Sequence, residues 1–480
     1  MASNAGEGSA KKLTLFALTA MVVGSMVGSG IFSLPSTFAN ATGPFGAIIA
    51  WIIAASGMYT LARVFQFLAE RKPALDAGVY AYAKAGFGDY LGFLAVFGYW
   101  VGSCIGNVSY WVLIKATLGA FFPVFGDGNT VTAILVASVG IWLFHILILR
   151  GTQQAAFINQ VVTIAKILPI LAFIAILFVA FKLDLFRNNF FGGSGYEGVS
   201  LFDQVRATML VTVFVFLGIE GASVYSRFAQ KREHIGMATI MGFIGVTCLM
   251  VLVTLLPFGA LERADIAGMR QPSMAAVLES VVGHWGAVFI SVGLLVSVLG
   301  AYLAWSLICA EVLSAAARDA DLPKLFAKEN ANKVPAAALW LSNIVVQLFV
   351  ISTYWSRDAF TLMLSMTSVM TLIPFFLVAL YGFLLVKRGE TYELRPEERQ
   401  SDYIIATLAV VYTAFLLYAA GWKFTVLSGL LYAPGTLLYV WTRREQGKSL
   451  FKPFEWVIFG VAVALALIAL HGLMTGYITI

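Results

Sequence analysis

Two apolar segments of the sequence carry clusters of glycine and serine near their centres. The first reads GSMVGSGIF over residues 24–32, and the second reads VFLGIEGAS over residues 215–223. Glycine costs a helix about 1 kcal/mol per position relative to alanine. Three glycines and two serines within seven residues of the first segment therefore predict an unwound stretch. In a bilayer such backbone persists only where protein or water satisfies its N–H and C=O groups.

Interrupted helices offer two kinds of binding group. Unpaired N–H groups at the start of a half helix, here those of Ser29, Gly30 and Ile31, suit a carboxylate. Carbonyl groups near Phe214 and Gly218, freed by the second interruption, suit an ammonium group. An amino acid carries both groups on one carbon atom. The two stretches together therefore predict a site that holds the backbone of an amino acid.

The first cluster also has an alternative interpretation. Gly24 and Gly28 have the G-x-x-x-G spacing, by which small residues allow two membrane helices to pack closely. The first segment alone does not separate such a packing face from an unwound stretch. The matching interruption in the second segment favours the unwound stretch, because paired interruptions in two halves of a chain are typical of inverted-repeat transporters.

Two charged residues lie inside apolar segments. Glu220 belongs to the second interruption, and Lys166 lies in VVTIAKILPI. A charge at the centre of a membrane helix costs about 2.5–3.5 kcal/mol on insertion scales and usually has a function. We expect Glu220 to attract a cationic ligand or to take part in gating. The alternative is a salt bridge from Glu220 to Lys115 or Lys166.

The amino-acid composition indicates a membrane protein. Of the 480 residues, 60% are hydrophobic and 12% are charged, whereas soluble domains carry about 25% charged residues. The net charge of +6 is spread over short basic runs between apolar segments, which indicates topology in a lipid bilayer and not a nucleic-acid partner. Cys104, Cys248 and Cys309 lack the spacing of a disulfide or metal framework, and we expect no metal or cofactor.

Apolar runs of about 20 residues, the length that spans a bilayer, predict about thirteen membrane helices. They fall at roughly 14–39, 44–68, 90–120, 130–149, 156–181, 203–227, 236–259, 286–316, 335–355, 358–386, 403–420, 423–441 and 454–478. The pair within 403–441 has a second interpretation as one re-entrant hairpin. Between the spans, residues 76–90 and 321–335 are predicted to form short interfacial helices.

The order of these segments predicts four parts. A disordered cytoplasmic tail at 1–12 precedes a first repeat of five helices at 13–182, a second repeat of five at 203–386, and C-terminal helices at 401–480. With the N-terminus inside, 22 of the 31 lysine and arginine residues lie on the inner side and seven on the outer side. Cytoplasmic loops of membrane proteins carry such an excess of lysine and arginine. Thirteen spans then place the C-terminus outside, in the periplasm.

Several motifs together resemble a known family. GSMVGSGIFSLP, YWVGSCIGN, VFLGIEGASV and RDADLPKLFAKENANKVP are similar to sequences of the amino acid–polyamine–organocation superfamily. Within it the chain resembles the basic amino acid/polyamine antiporters, most closely those of bacteria that exchange arginine for ornithine. The resemblance implies an all-α, leucine-transporter-like fold of five plus five inverted helices with extra C-terminal helices. It also implies a homodimer in the bacterial inner membrane, with arginine and ornithine as exchanged substrates.

The resemblance implies roles for the two interruptions and for the buried lysine. Ser29 and Gly30, with Ile31 beside them, match the turn that binds the substrate carboxylate. Gly218 matches the turn that meets the α-ammonium group. Lys166 matches the lysine that occupies the place of a sodium ion in sodium-independent relatives, and the alternative is a structural tether between helices one, five and eight. We predict that it donates to carbonyl groups freed at the break around residues 28–30.

Further residues match positions around the substrate side chain. Tyr99 and Asn107 match third-helix positions that sense the substrate, with Ser103 at a side-chain contact. Phe214 and Trp305 match aromatic residues that pack on the cationic side chain, where a cation–π contact contributes about 0.5–2 kcal/mol. As alternatives, Tyr99 and Trp305 are helix-packing aromatics, and Asn107 forms an interhelical hydrogen bond that contributes about 0.6 kcal/mol.

Two departures from the family pattern bear on the substrate. The tenth-helix tyrosine of the arginine/agmatine branch falls on Leu377 here, although Phe375 and Phe376 are adjacent, and the thirteenth helix is extra. Both differences favour ornithine over agmatine as the counter-substrate. Phe214 stands where that branch has a tryptophan and keeps an aromatic face. Lysine or histidine as substrate, polyamine transport and proton coupling stay open. No catalytic motif of a membrane enzyme and no repeated filter loop of a channel occurs in the sequence.

Overall fold

A computed structural model of the chain describes residues 14–73, 75, 79–151, 155–193, 196, 198–219, 233–356, 358–393 and 395–479, and these residues form α-helices, short 3₁₀ turns and loops, with no β-strand among them. In chain order the α-helices are α1 (Leu15–Met26), α2 (Leu34–Ala41), α3 (Pro44–Arg71), α4 (Val79–Phe87), α5 (Asp89–Phe121), α6 (Val131–Leu149), α7 (Ala155–Ala180), α8 (Leu183–Asn189), α9 (Leu201–Phe216), α10 (Glu233–Leu255), α11 (Arg263–Ala267), α12 (Ser273–Val282), α13 (His284–Arg318), α14 (Ala336–Ser352), α15 (Ala359–Arg388), α16 (Glu398–Ala419), α17 (Gly421–Glu445) and α18 (Pro453–Met474).

The helices confirm the all-α membrane fold class. Nine helices of the described chain are long and apolar enough to cross a membrane, and two bent pairs, α1 with α2 and α7 with α8, raise the number to eleven if each pair is one span. The described part of α9 has 16 residues and α14 has 17. Each of the thirteen predicted segments therefore contains a helix, while a count of thirteen spans remains a prediction.

The predicted alternative for the segment within 403–441 is wrong. α16 and α17 have 22 and 25 residues, and at about 1.5 Å per residue each is long enough to span the hydrocarbon core. α16 packs mainly on α15 and α3, and α17 packs mainly on α18. Two separate helices, rather than a re-entrant hairpin, form this part of the chain.

One of the two predicted interfacial helices is present. α4 occupies the described part of the first, from Val79 onwards. The second prediction, over 321–335, is wrong, because that segment contains only one 3₁₀ turn, Lys324–Ala327. The side chain of Asn330 explains the difference: its Oδ1 accepts the N–H groups of Asn332 and Val334. Such local side-chain bonds compete with helix formation.

The connection between α1 and α2 lies in the middle of the helical bundle. It is a buried 3₁₀ turn, Ser29–Ser33, which contacts α5, α9, α12 and α13. α5 has 33 residues, most of them buried, and it packs on α13, α14 and α15. The sequence therefore places an interrupted helix where neighbouring helices, and not lipid, surround its backbone.

A buried arginine holds the far end of α2. Arg263 Nη1 donates to the Ala39 carbonyl oxygen at 2.8 Å, and its Nε donates to the Gly192 carbonyl oxygen at 2.5 Å. Its guanidinium carbon lies 4.3 Å from the centre of the Tyr196 ring. A cation stabilises the C-terminus of a helix, where carbonyl groups are unpaired. The half helix 29–41 is therefore anchored at one end and presents its N-terminus to the core.

Candidate substrate-binding site

The first break separates α1 from the half helix. α1 ends at Met26, Gly28 is extended with φ −116° and ψ −151°, and the 3₁₀ turn begins at Ser29. The axis bends by 49° there. The unwound stretch is thus only two residues long, shorter than the interrupted stretch in the sequence. Because Gly28 lies outside α1, Gly24 and Gly28 do not form one helical packing face.

The start of the half helix carries free donors. Leading N–H groups of a helix have no partner within it. Among the described residues, the N–H groups of Ser29 and Gly30 donate to no backbone group, whereas that of Ile31 belongs to the first hydrogen bond of the 3₁₀ turn. All three residues are buried, and the partial positive charge of the helix N-terminus adds to their donors. This geometry suits an anion such as a carboxylate.

Lys166 binds the other side of the break. Its Nζ donates to the Gly24 carbonyl oxygen at 2.6 Å and to the Val27 carbonyl oxygen at 3.1 Å. The predicted acceptors around residues 28–30 are wrong, because the lysine reaches the carbonyl end of α1 and not the half helix. The residue is 1% exposed. Its buried ammonium group satisfies carbonyl oxygens that the end of α1 leaves without helical partners.

The second break lies directly against the first. α9 ends at Phe216, and Gly218 has φ +102°. Ser25 Oγ donates to the Gly218 carbonyl oxygen at 3.0 Å, which joins the two interrupted helices. Glu220, the predicted gating residue, lies outside the described residues.

A cavity of about 30 Å³ lies between the two breaks, α5, α13 and α15. Five residues of the predicted site line it, namely Ser29, Gly30, Ser103, Phe214 and Trp305. This volume holds about two water molecules. The cavity therefore has to widen before it can admit an amino acid.

Four predicted residues do not line the cavity. Ile31 directly follows the lining residue Gly30, and Gly218 directly follows the lining residue Leu217. Tyr99 lies one turn before Ser103, whose Oγ donates to the Tyr99 carbonyl oxygen at 2.8 Å. Asn107 is the fourth, and it is described with its partners below. The structure thus brings the two breaks, Ser103, Phe214 and Trp305 together, and it leaves Tyr99 behind the wall.

Asn107 lies next to the lining residue Gly106. Its Nδ2 donates to Ser306 Oγ on α13 at 3.4 Å, so it does form the interhelical hydrogen bond that was the alternative interpretation. Its Oδ1 is buried and accepts no hydrogen bond from the described residues. A buried amide oxygen without a donor is costly. This oxygen therefore has unused capacity to accept a hydrogen bond.

Two lining residues, Tyr110 and Thr367, lie outside the segments that the sequence analysis singled out. Tyr110 follows Ser103 and Gly106 at helical spacing i, i+3, i+7, a signal that places all three on one face of α5. Thr367 lies on α15, at a different position from Leu377, and no local pattern marks it. Its Oγ1 is buried without a hydrogen bond to the described residues.

The wall of the cavity is neutral. The described lining residues are aromatic, aliphatic, glycine or hydroxyl-bearing, and none of them carries a charged side chain. A positive ligand group would therefore rely on the faces of Phe214 and Trp305 and on hydroxyl, amide and carbonyl oxygens. A negative ligand group would find its donors at the start of the half helix.

The chain also matches a known family of membrane proteins. The profile of a family described as amino acid permease matches residues 13–442. The chain belongs to this family. Membership confirms the resemblance drawn from the motifs, and it makes the chain a multi-pass membrane protein of a transporter family.

Three relatives match almost the whole chain. An arginine/ornithine antiporter of Pseudomonas aeruginosa is 52% identical over 478 residues, which cover 98% of this chain and 99% of the relative. An L-lysine transport protein of Corynebacterium glutamicum is 38% identical, with 100% of this chain and 98% of the relative covered. An arginine/agmatine antiporter of Chlamydia abortus is 38% identical, with 98% of each chain covered.

Replacing Gly218 with alanine should separate the two breaks. A side chain at φ +102° is strained, and its Cβ would lie 2.6 Å from the Ser25 carbonyl oxygen. We expect a loss of at least about 1 kcal/mol of stability, measured as a lower midpoint of thermal unfolding in detergent. Gly245→Ala is the control, since nothing lies within 4 Å of its added Cβ. Equal midpoints for Gly218→Ala and the unmodified transporter would contradict the contact.

Proposed function

We propose that this transporter exchanges arginine for ornithine across the bacterial cytoplasmic membrane by alternating access. The observation that carries the proposal is the pair of broken helices around one neutral, aromatic-walled cavity. It occurs in a chain that is 52% identical to an arginine/ornithine antiporter over nearly its full length. The N-terminus is cytoplasmic and the C-terminus periplasmic in this proposal, and the protein is a homodimer.

The backbone of the substrate lies between the two breaks. Its carboxylate accepts the N–H groups of Ser29 and Gly30, which are buried and donate to no backbone group of the described residues. Its α-ammonium group donates to carbonyl oxygens at the end of α9, between Phe214 and Gly218. Charge-assisted hydrogen bonds of this kind contribute about 1.5–3 kcal/mol each. Any α-amino acid makes these contacts, so they do not select arginine.

The side chain of the substrate provides the selection. Arginine has five N–H donors and no acceptor, and ornithine has a terminal ammonium group with three donors. Thr367 Oγ1 and Asn107 Oδ1 are buried oxygens that lack donors among the described residues. Phe214 and Trp305 supply aromatic faces on the cavity wall. A cationic side chain thus fits two acceptors and two rings, whereas an apolar side chain leaves both acceptors unpaired.

Lys166 makes the exchange independent of sodium. It is a fixed internal cation bound to the Gly24 and Val27 carbonyl oxygens, where it takes the place of a bound metal cation. Arginine and ornithine each carry a net charge of about +1 near neutral pH, given their side-chain, α-amino and α-carboxyl groups. One-for-one exchange therefore moves no net charge across the membrane, and the two substrate gradients suffice to drive it.

The proposed exchange is tested by uptake of labelled arginine into proteoliposomes loaded with ornithine. We expect uptake without sodium, and equal rates at zero potential and at about −100 mV, a difference that would contribute about 2.3 kcal/mol per net charge moved. Empty vesicles are the control for uniport. A strong dependence of the rate on sodium or on potential would contradict electroneutral exchange.

A lysine transporter of the same family is the second candidate, because the L-lysine transport protein matches the whole length of this chain. Vesicles loaded with lysine, histidine, agmatine or ornithine separate the candidates by how strongly each compound drives arginine uptake. Ornithine is expected to drive it most strongly. Lysine driving it more strongly than ornithine would favour the second candidate.

Trp305→Leu should weaken arginine transport at least about tenfold in half-saturation. The variant removes an aromatic face from the cavity wall, and a cation–π contact in a desolvated site contributes about 2 kcal/mol or more. Trp285→Leu is the matched control, because Trp285 is 57% exposed on the outside of α13. An unchanged half-saturation concentration for Trp305→Leu, at a normal protein level in the membrane, would refute the contact with the side chain.

A further inference from the structure

A buried histidine lies on α6, a helix that contributes no residue to the cavity wall. His145 of α6 is 1% exposed. Its Nδ1 is 2.8 Å from Asn343 Nδ2 on α14, and its Nε2 has no hydrogen bond to the described residues. The rings of Trp142 and Trp340 pack edge-on against it at 5.3 and 4.3 Å between centroids. A polar ring in such an apolar position requires an explanation beyond packing.

The hydrogen bonds of Asn343 indicate whether His145 donates or accepts. Tyr302 on α13 donates its hydroxyl hydrogen to Asn343 Oδ1 at 3.3 Å. The amide nitrogen of Asn343 therefore faces His145 and donates to it. Because Nδ1 has to accept, the imidazole is neutral and carries its hydrogen on Nε2.

The polar contacts continue from Tyr302 to the edge of the cavity. Ser306 lies one turn after Tyr302 on α13, which places its hydroxyl group beside that of Tyr302. Ser306 Oγ also accepts from Asn107 Nδ2 at 3.4 Å. All of the side chains are at most 1% exposed. One buried chain of polar groups thus joins α6, α14, α13 and α5, and it ends at the unpaired Oδ1 of Asn107.

We propose that His145 is a positioning residue for recognition of the cationic substrate side chain. As the fixed acceptor at one end of the chain, it orients Asn343, and through Tyr302 and Ser306 it holds the amide nitrogen of Asn107. The amide oxygen of Asn107 is then left for a donor on the substrate. Hydrogen bonds in a buried chain reinforce one another, so loss of the acceptor releases the orientation at the other end. The inference rests on the proposed function.

The test compares half-saturation concentrations for arginine in ornithine-loaded proteoliposomes. His145→Leu removes the acceptor, and we expect the half-saturation concentration to rise at least about fivefold, the loss of one neutral hydrogen bond, with the maximal rate within about twofold. His145→Gln keeps an acceptor and should restore the value to within about twofold. His284→Leu is the matched control, since His284 is exposed at the start of α13 and bonded to Glu279.

Tyr302→Phe removes one hydroxyl group from this row of polar side chains and keeps the aromatic ring. It replaces His145→Leu as the test if that variant does not reach the membrane. It should raise the half-saturation concentration by a similar factor. An unchanged value for Tyr302→Phe, or for His145→Leu at a normal protein level, would overturn the proposal.

A double-variant cycle separates positioning from a general structural role. Residues that act through one chain are not additive. Adding His145→Leu to Asn107→Ala should therefore change the half-saturation concentration less than about twofold beyond Asn107→Ala alone. If the double variant raised the half-saturation concentration by the product of the two single-variant factors, the proposal would be overturned. Failure of the unmodified transporter to exchange arginine would refute the proposed function as well, whereas unchanged variants in an active transporter would refute only the role of His145.

Discussion

The ammonium group of Lys166 satisfies the end of a helix that stops inside a membrane. Carbonyl groups at such an end have no lipid partner and each costs several kcal/mol if it stays unpaired. Lys166 donates to two of them, on Gly24 and Val27. A residue of the protein thus satisfies the carbonyl side of the two-residue break. The donor side, which begins at Ser29 and Gly30, is the side at which we propose that the substrate carboxylate binds.

The other elements of the site depend on this break. Arg263 satisfies the far end of α2, so the half helix is held at its outer end and its N-terminus is directed at the cavity. The Gly218 turn approaches so closely that a Cβ there would lie 2.6 Å from the Ser25 carbonyl oxygen. Ser25 Oγ closes the contact by donating to Gly218. Small residues in the two segments therefore permit both the interruption and its close packing.

Much of this arrangement was predictable from local sequence signals. Long apolar runs predicted the helices, and glycine and serine clusters predicted the breaks, because both properties act on a few neighbouring residues. Prediction failed where contacts between residues far apart in the sequence determine the site. Thr367 reaches the cavity through the packing of α15 on α5. It also failed at 321–335, where the side chain of Asn330 binds the local backbone. The acceptors of Lys166 were misplaced because helix α1 continues through Gly24 and Ser25 to Met26.

Recognition of the α-carboxylate by the N-terminus of the half helix is the central claim. Isothermal titration of the purified transporter with arginine, arginine methyl ester and agmatine tests it, because the ester keeps the bulk of arginine and loses only the negative charge, while agmatine lacks the whole group. A charge-assisted hydrogen bond contributes about 1.5–3 kcal/mol. The methyl ester and agmatine should therefore each bind at least about tenfold more weakly than arginine. Equal affinities for the three compounds would contradict the claim.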